Sequence, residues 1–508
     1  MPCCKAEEYK WCRDLSVVGY KDVEDNEYCI FHAPKGEKGI TLQDFNKLIF
    51  ERIDEANKES KSCNLSGTVF EGDITFDLGK DNLLLGLNFS SSTFSGRAWF
   101  IGTLSDDTDF SRAMFDSEAF FLVTFLGNAS FFSAIFRKYA NFSEAKFNKN
   151  TVFAYATFNE KASFLKSIFN KEADFLGATF NQLADFSKAK FFKKANFSSD
   201  GHQAIFNGKA NFSKAEFCEE AEFPWAEFIE KTDFSDAKFF RRVNFFNVKF
   251  KEEADFAWTI FGGEAHFRHA TFVKEANFFK SEFVNDGEFT ILDIEKEIRF
   301  EGANLEAISF LDSDLRKFDF INCKWPPKKD GRKVLYDEIE LFKNKKDKDF
   351  KTKIEKVETL YRQLKQKCKE DHNEYEVSNW HYGEKEMQRK GSSWKNFSFY
   401  LLNLYWVSSG YGERPLRAGI VLVLLIIAIS VILGLTGIKS LYTDDVIKIR
   451  ELSEIWNLDY LKATLQYTTF EPKPDFIPSN WFLKIAAKLL IPLQAALFAL
   501  AVRNRFRR

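Results

Sequence analysis

The residue types best suited to chemistry lie at the start of the chain. Four cysteines and one histidine fall within the first 32 residues, at Cys3, Cys4, Cys12, Cys29 and His32. Three thiolates and one imidazole make a tetrahedral site of the kind that structural zinc occupies, so only one of Cys3 and Cys4 is needed. A short segment without a core of its own gains its fold from such a metal. We therefore predict a zinc knuckle in residues 1–60; the alternative is a group of reduced, unligated thiols.

No pattern of catalytic residues accompanies this cluster. The sequence lacks a GxSxG motif, a phosphate-binding loop and HExxH, and it contains only 6 His. The two histidines of the sequence HFRH, His266 and His269, are interpreted as outward surface residues rather than metal ligands. The sequence therefore predicts a protein that is not an enzyme.

The remaining cysteines are scattered along the chain, at Cys63, Cys218, Cys323 and Cys368. Their spacing is typical of reduced thiols in a cytosolic body rather than of a disulfide framework. No apolar signal region precedes the first cysteine, so we expect the N-terminus to stay in the cytoplasm.

Phenylalanine recurs at a fixed spacing through the middle of the chain. The 508 residues include 60 Phe, which from Phe131 to Phe289 alternate at intervals of five and six residues, apart from a four-residue insertion near Gly201. Ala commonly lies two residues before each Phe, with Asp or Asn between them. This pattern favours the short sides of a square coil, with Phe inward, Ala beside it and the polar residues bonding backbone at the corners. The predicted repeat core includes Phe142, Phe147, Phe153, Phe158, Phe164, Phe169, Phe175, Phe180, Phe186 and Phe191.

This 11-residue double step resembles the pentapeptide-repeat family in its Phe-centred form, over residues 61–325. The resemblance implies a mainly β fold, a right-handed quadrilateral β-helix with about 22 residues per coil. An interior filled with Phe leaves no cavity for a substrate, so we expect function on the faces, where an unknown protein partner would bind. Some family members mimic DNA, which requires a dense acidic face. Over residues 65–325 the acidic residues exceed the basic ones by only about nine, and the two are well mixed, so no nucleic-acid partner is expected.

The composition changes after the two prolines at 326 and 327. Residues 326–393 are rich in Lys, and the apolar spacing of Ile354, Val357, Leu360 and Leu364 indicates a helix, with a second helix after it. We predict that this basic helical linker joins the solenoid to a membrane module in residues 394–508.

Two apolar stretches predict membrane spans. Residues 418–438 are uncharged over a length that crosses the hydrocarbon core. Residues 481–502 can also span if Lys484 and Lys488 snorkel or face protein. A buried or interfacial helix is the alternative for the second stretch. The aromatic-rich segment 394–407 is suited to lying in the membrane interface.

Arginines flank both predicted spans on the side away from the segment between them. They are Arg414 and Arg417 before the first span, and Arg503, Arg505, Arg507 and Arg508 after the second. By the positive-inside rule, this predicts a two-span protein of the cell membrane with both termini in the cytoplasm.

The segment between the spans, residues 455–480, begins as an amphipathic helix and breaks into an irregular polar loop. This layout resembles the two-transmembrane potassium-channel-like family, and similar modules follow Phe-type pentapeptide repeats in some prokaryotic membrane proteins. In that family the pore loop supplies backbone carbonyls that replace an ion's water shell. The resemblance implies a homotetramer and the pore-loop candidates Thr468, Thr469, Phe470 and Asp475.

The loop departs from the channel pattern, because no Gly-Tyr-Gly follows its threonines; potassium selectivity is therefore not implied. The sequence GlyTyrGlyGlu at 410–413 precedes the first span and is interpreted as a turn. Two hypotheses follow. The solenoid is a membrane-anchored interaction scaffold or sensor, or the spans form an ion channel that is gated or assembled through the solenoid.

Overall fold

A computed structural model describes residues 3–78, 86–285, 287–289, 293–294, 298–328, 331–343, 349–440, 446–448, 458–468 and 476–506. The chain falls into two compact units, residues 1–328 with 335–337 and residues 329–334 with 338–508. The first unit contains the repeats and the second contains the helices that follow them.

The repeats form a parallel β-solenoid with four columns of stacked short strands, the four-sided architecture that the Phe spacing predicts. Column 1 has eleven strands: Val69–Phe70, Thr93–Phe94, Met114–Phe115, Ile135–Phe136, Thr157–Phe158, Thr179–Phe180, Ile205–Phe206, Glu227–Phe228, Lys249–Phe250, Thr271–Phe272 and Asp293–Ile294. Column 2 has twelve: Cys63–Asn64, Leu87–Asn88, Thr108–Asp109, Ala129–Ser130, Thr151–Val152, Ala173–Asp174, Ala195–Asn196, Ala221–Glu222, Val243–Asn244, Ala265–His266, Gly287–Glu288 and Ile308–Ser309.

Columns 3 and 4 form one continuous sheet, because longer strands join them at the N-terminal end of the solenoid. These longer strands are Ile74–Leu78, Ala98–Leu104 and Ala119–Phe125. Column 3 comprises Ile74–Leu78, Ala98–Leu104, Ala119–Phe125, Ala140–Asn141, Ala162–Ser163, Ala184–Asp185, Ala210–Asn211, Thr232–Asp233, Ala254–Asp255, Ala276–Asn277, Ile298–Glu301 and Phe318–Ile321. Column 4 comprises Lys146–Phe147, Ile168–Phe169, Lys190–Phe191, Glu216–Phe217, Lys238–Phe239, Ile260–Phe261 and Glu282–Phe283.

Phenylalanine rings fill the interior as four stacks. Each ring lies almost parallel to the ring one coil away, as Phe153 does above Phe175 with centroids 5.0 Å apart and Phe164 above Phe186 at 4.6 Å. Neighbouring stacks meet edge to face, for example Phe175 against Phe186 at 5.3 Å and 88°. Both arrangements are favourable for aromatic pairs. Every Phe of the predicted core is buried, and the Ala side chains of columns 2 and 3 are buried beside them.

The corners use the polar residues as the sequence predicts. The Asn141 Oδ1 atom accepts a hydrogen bond from Ser143 N at 2.9 Å, and Asp174 Oδ1 accepts from Leu176 N at 3.1 Å. The same side chains also join coils, since Asn196 Nδ2 donates to Asp174 Oδ1 at 3.0 Å. The side chains therefore satisfy corner backbone groups that strand pairing does not reach.

A second feature of the corners has no signature in the sequence. At intervals of eleven residues, a residue other than glycine has a positive φ: Ser133 at 54°, Glu144 at 62°, Tyr155 at 59° and Lys166 at 54°. Each follows a buried Phe by two residues in a four-residue turn, such as the one closed by Ala134 N donating to Phe131 O at 3.0 Å. A left-handed conformation costs about 1 kcal/mol for a residue with a Cβ atom, so the stacked coils must compensate for it.

The four-residue insertion forms a small hairpin. Ser198–Ser199 pairs antiparallel with His202–Gln203. The strands on either side of it keep their register, because Phe180 pairs with Phe206 one coil later.

An N-terminal segment covers the first coil of the solenoid. It contains the antiparallel strands Val17–Lys21 and Glu27–Cys29 and the helix α1, Leu42–Lys58. Thr41 caps this helix by accepting from Asp44 N at 3.1 Å. The buried residues Phe45, Ile49 and Ile53 follow one face of α1, and the Phe45 ring meets Phe70 of the first coil at 6.3 Å. The helix thus covers an apolar end that would otherwise be exposed.

The last coil also has a cover, provided by the start of helix α2, Tyr336–Lys343. The Asp337 carboxylate is buried and accepts from Ser309 Oγ at 2.5 Å and from Phe310 N at 3.1 Å. Burial raises the pKa of Asp337 to about 6, although these hydrogen bonds oppose the rise.

In the second unit, α3 (Phe350–Glu370) and α4 (Glu374–Gly391) form the hairpin of the linker. They are followed by α5 (Phe397–Ser409), α6 (Pro415–Thr436), α7 (Leu458–Thr468) and α8 (Trp481–Phe506). A three-stranded antiparallel sheet between α6 and α8 contains Val446–Ile447, Ile438–Ser440 and Phe476–Pro478. The sequence predicts the helices of this unit but not this sheet.

Removal of one interior ring is expected to destabilise the coils that stack on it. Phe175→Ala deletes contacts with rings on two neighbouring coils and should cost about 3 to 5 kcal/mol. Hydrogen exchange of the full chain should show faster exchange of the amides near Phe153 and Phe197, since contacts in a solenoid are between neighbouring coils. Phe240→Ala is the matched control because its ring is half exposed. Equal effects of the two changes would contradict a Phe-dependent core.

The buried Asp337 carboxyl predicts a pH dependence of stability. Its folded-state pKa of about 6 exceeds the unfolded value of about 3.9. Proton binding therefore stabilises the fold fully below about pH 4, and this contribution is lost as the pH rises through 6. Asp337→Asn can keep a bond to each partner but cannot titrate. We expect the Tm difference between variant and wild type to change between pH 4 and 7, and a constant difference would refute the assignment.

Candidate functional site

The structure brings four of the five predicted metal ligands together. Potential ligand atoms of Cys3, Cys12, Cys29 and His32 all lie within 4.8 Å of one another, and all four residues are buried. His32 Nδ1 is 3.6 Å from Cys3 Sγ and 3.2 Å from Cys29 Sγ. In a tetrahedral zinc site the sulfur–nitrogen edge is about 3.6 Å, given the usual bond lengths. The donor set and the two sulfur–nitrogen distances therefore suit a tetrahedral metal ion.

Short local elements position these ligands. Cys3 directly precedes the 3₁₀ turn Cys4–Ala6, and Cys12 ends the 3₁₀ turn Lys10–Cys12. Cys29 ends a strand, and His32 N donates to Cys29 O at 3.0 Å, so a tight turn brings the last two ligands together. Turns and short strands, rather than a standard zinc-finger hairpin and helix, span the long gaps in sequence between the four residues.

The imidazole of His32 is held from its other side. Its Nε2 atom is 3.1 Å from the carbonyl oxygen of Ser66, which lies in the first coil, and Tyr9 stacks on the ring at 5.0 Å. Donation from Nε2 to this carbonyl leaves the lone pair of Nδ1 directed at the thiols. Trp11 Nε1 donates to the same carbonyl at 3.2 Å. The cluster is therefore attached directly to the solenoid.

Cys4 lies outside the cluster. Its side chain is exposed, while Cys3 beside it is buried among the other ligands. Adjacent residues of a turn point in different directions, and the spacing alone could not choose between them.

The buried thiols of the cluster resist ionisation without a cation. Burial and the neighbouring thiols raise the pKa of Cys12 to about 12 and that of Cys29 to about 11. Burial also lowers the pKa of His32, which keeps its ring neutral and able to ligate. Binding of a soft divalent metal would convert the thiols to thiolates and release protons.

The HFRH histidines are not part of a metal cluster within the described ranges. His266 Nε2 is 3.2 Å from Glu264 Oε2, and the His269 ring meets Phe246 edge to face. Cys63, Cys218, Cys323 and Cys368 are far apart in the sequence, and Cys323 Sγ donates to the carbonyl oxygen of Phe300 at 3.1 Å.

Two helices of the second unit are long and apolar enough to cross a membrane. They are α6, with mean hydropathy 3.1, and α8, with mean hydropathy 2.0. These helices pack against each other, and their shared core includes Leu433, Ala487 and Ile491. Asn504 near the end of α8 donates to Gly412 O, just before α6 begins, at 3.0 Å. The start of α6 and the end of α8 therefore lie at the same end of the pair.

A glutamine joins three helices inside this pair. Gln494 of α8 donates from Nε2 to Ser408 O in α5 at 2.9 Å and to Ala418 O in α6 at 3.0 Å. A buried amide in an apolar setting needs such partners. The residues 410–413 form the turn that connects α5 to α6, with Gly410 and Tyr411 both in the left-handed region.

The short helix α7 lies against both long helices. Tyr460, Ala463 and Thr464 are buried, and Thr464 Oγ1 lies 2.9 Å from Ser430 Oγ of α6. Thr468 is the last residue of α7. The other pore-loop candidates, Thr469, Phe470 and Asp475, lie outside the described residues.

The linker hairpin is fastened to α5 by cations over aromatic rings. The Arg389 guanidinium of α4 lies 4.6 Å from the Trp406 ring centroid, and Arg417 lies 5.2 Å from the same ring. Arg389 Nε donates to Tyr411 Oη at 3.0 Å, and Tyr411 Oη donates to the buried Glu386 at 3.0 Å. The sequence shows the charges and aromatics but not this pairing.

These features define the first unit as a parallel β-solenoid repeat domain. A family model described as pentapeptide repeats in nine copies matches residues 131–179, so this part of the solenoid is similar to pentapeptide repeats. No curated protein and no solved structure matches the chain. The function must therefore be argued from the structure.

The cluster predicts metal binding that depends on Cys3 and not on Cys4. The purified full chain should hold about one metal ion per chain by elemental analysis. Cys3→Ser should lower this content several-fold, because it removes one of four ligands. Cys4→Ser is the matched control, since it makes the same change on the neighbouring exposed thiol. Equal metal contents in the two variants would refute the assigned ligand set.

Proposed function

We propose that this protein is a non-enzymatic scaffold or sensor whose pentapeptide-repeat solenoid is anchored to a membrane by two spans. The observation that carries the proposal is the combination, in one chain, of a solenoid filled with Phe and two apolar helices, α6 and α8. A filled solenoid offers its outer surface, and a protein partner is the ligand that suits long flat faces.

The orientation follows from charge and from the packing of the spans. Arg414 and Arg417 lie at the start of α6, and Arg503 and Arg505 at the end of α8. These ends lie together, so the positive-inside rule puts both on the cytoplasmic side of the cell membrane, with the solenoid and both termini.

Helix α5 supports the membrane placement. Its exposed side includes Phe397, Tyr400, Leu401 and Leu404, spaced so that they share one helix face. This face is suited to the interface between head groups and acyl chains, where aromatic side chains are favoured. The helix thus extends the anchor along the membrane surface.

We further propose that Cys3, Cys12, Cys29 and His32 hold a structural zinc ion. The support is the buried donor set, the sulfur–nitrogen distances within it, and the hydrogen bond from His32 Nε2 to the carbonyl oxygen of Ser66. A site with four protein ligands has no open position for substrate, so its role is to stabilise the N-terminal cover.

A second function, an ion channel, is favoured by one observation. An anchor needs only one span, whereas this chain has two, with a partly buried helix, α7, packed against both. This is the order of elements in pore-loop channels, which assemble their pore from several copies; a homotetramer is the corresponding assembly. In this alternative the solenoid gates or assembles the pore.

Ion flux separates the two functions. Full-length protein is reconstituted in liposomes, and flux is compared with a variant whose residues 469–475 are replaced by a flexible linker. The scaffold proposal predicts no flux from either protein under several ions and potentials. The matched control replaces residues 449–455, an equally long segment between the same spans. Flux in the wild type and the control that is lost in the 469–475 variant would overturn the scaffold and establish the pore.

Anchoring itself is tested by extraction of membranes at alkaline pH. A protein with two spans should stay with the bilayer after such a wash. Release of the full chain into the soluble fraction would refute the membrane proposal, whatever the flux experiment shows.

A further inference from the structure

A cavity of about 750 Å³ lies beside the first turns of α6. Its lining includes four arginines, Arg332, Arg414, Arg417 and Arg505, and a single carboxylate, Glu413. This volume falls in the range of sites that hold small molecules. The excess of guanidinium groups indicates an anionic ligand, because arginine donates several hydrogen bonds to phosphate in a planar arrangement.

The one carboxylate of the lining accepts hydrogen bonds from two neutral donors. Ser378 Oγ donates to Glu413 Oε2, and Asn504 Nδ2 donates to Glu413 Oε1 at 3.3 Å. Two of the arginines are held in place by an aromatic ring: Arg332 lies 4.2 Å and Arg414 lies 5.4 Å from the Tyr382 ring centroid. The positive groups are therefore positioned by the fold of this unit, which reduces the entropy lost when an anion binds.

The lining of the cavity also has an apolar part. It includes the α6 residues Leu416 and Ile420, which are 79% and 52% exposed. Val423 and Leu424 continue the same exposed face along α6 at helical spacing. A free phosphate would use only the arginines, whereas a phospholipid would use both the arginines and this apolar face.

The position of the cavity matches the depth of a lipid head group. Arg414 and Arg417 lie at the start of one proposed span and Arg505 at the end of the other, where head groups meet protein. Basic pockets at such positions are suited to anionic lipids of the cytoplasmic leaflet. We propose that this cavity binds the phosphate head group of an anionic glycerophospholipid, with its acyl chains lying along the exposed face of α6. The inference rests on the proposed membrane anchoring.

The test is native mass spectrometry of the full-length protein in detergent, titrated with dioleoylphosphatidylglycerol, dioleoylphosphatidylcholine or inorganic phosphate. We expect the phosphatidylglycerol to bind at least tenfold more tightly than the phosphatidylcholine and than phosphate. Equal affinity for the two lipids would overturn the role of the arginines. Binding of phosphate as tight as that of phosphatidylglycerol would overturn the lipid and leave an anion site.

The variant Arg414→Gln with Arg505→Gln removes two of the cavity cations, and we expect at least a tenfold loss of phosphatidylglycerol affinity. Lys484→Gln with Lys488→Gln is the matched control, because it removes the same charge from the first turns of α8. Equal losses in both variants would show a general charge effect and overturn the site.

A further variant guards against misfolding. Ile420→Gln leaves every arginine in place and makes the apolar part of the lining more polar, so it should weaken phosphatidylglycerol binding without changing phosphate binding. Unchanged lipid affinity in this variant would overturn the proposed path of the acyl chains. Loss of the lipid site in a protein that stays in alkaline-washed membranes would leave the anchoring proposal standing, so the two failures are distinguishable.

Discussion

The first unit depends on the stacking of phenylalanine on phenylalanine. Each coil is too small to enclose a core by itself, and its rings become buried only when the coil above and the coil below supply the next rings. This explains why the spacing of Phe holds from Phe131 to Phe289 while the outer positions vary and include polar, charged and some aromatic residues. It also explains why both ends need covers. Helix α1 lies over the first coil, where Phe45 meets Phe70, and Asp337 at the start of α2 accepts a hydrogen bond from Phe310 N of the last coil.

The same constraint fills the interior of the described coils. Parallel rings about 5 Å apart occupy the space between the columns of strands. In the first unit the Cys/His cluster lies outside this interior, and His32 connects it to the solenoid through the Ser66 carbonyl. In the second unit, a group of polar side chains lies where α4, α5 and α6 meet near Tyr411 and Trp406. There the buried Glu386 pairs with Arg389 and accepts a hydrogen bond from Tyr411.

Sequence reasoning predicts what depends on period and composition. The four-sided solenoid, the linker helices and the two apolar helices all follow from spacing and hydropathy. Sequence reasoning does not predict features that depend on backbone dihedral angles or on the direction in which a side chain points. Glu144 and Lys166 give no sign of a left-handed backbone, because no glycine or asparagine marks these turns. Helix α1 was open to prediction, since Thr41 and Asp44 form a cap and Phe45, Ile49 and Ile53 are spaced by four. For the metal ligands, the residue types were informative but only the fold could distinguish Cys3 from Cys4.

The hairpin between Ser198 and Gln203 shows how this architecture tolerates change. Its four extra residues leave the coil at one corner and return to the same corner. Phe180 and Phe206 nevertheless stack across the longer coil at 4.9 Å, a distance within the range of the other stacked pairs. The corner can therefore gain residues without a change in the positions of the core rings. Segments of foreign sequence placed at Gly201 can enter and leave at neighbouring points without shifting any ring, which makes this corner a natural attachment point for a new binding element.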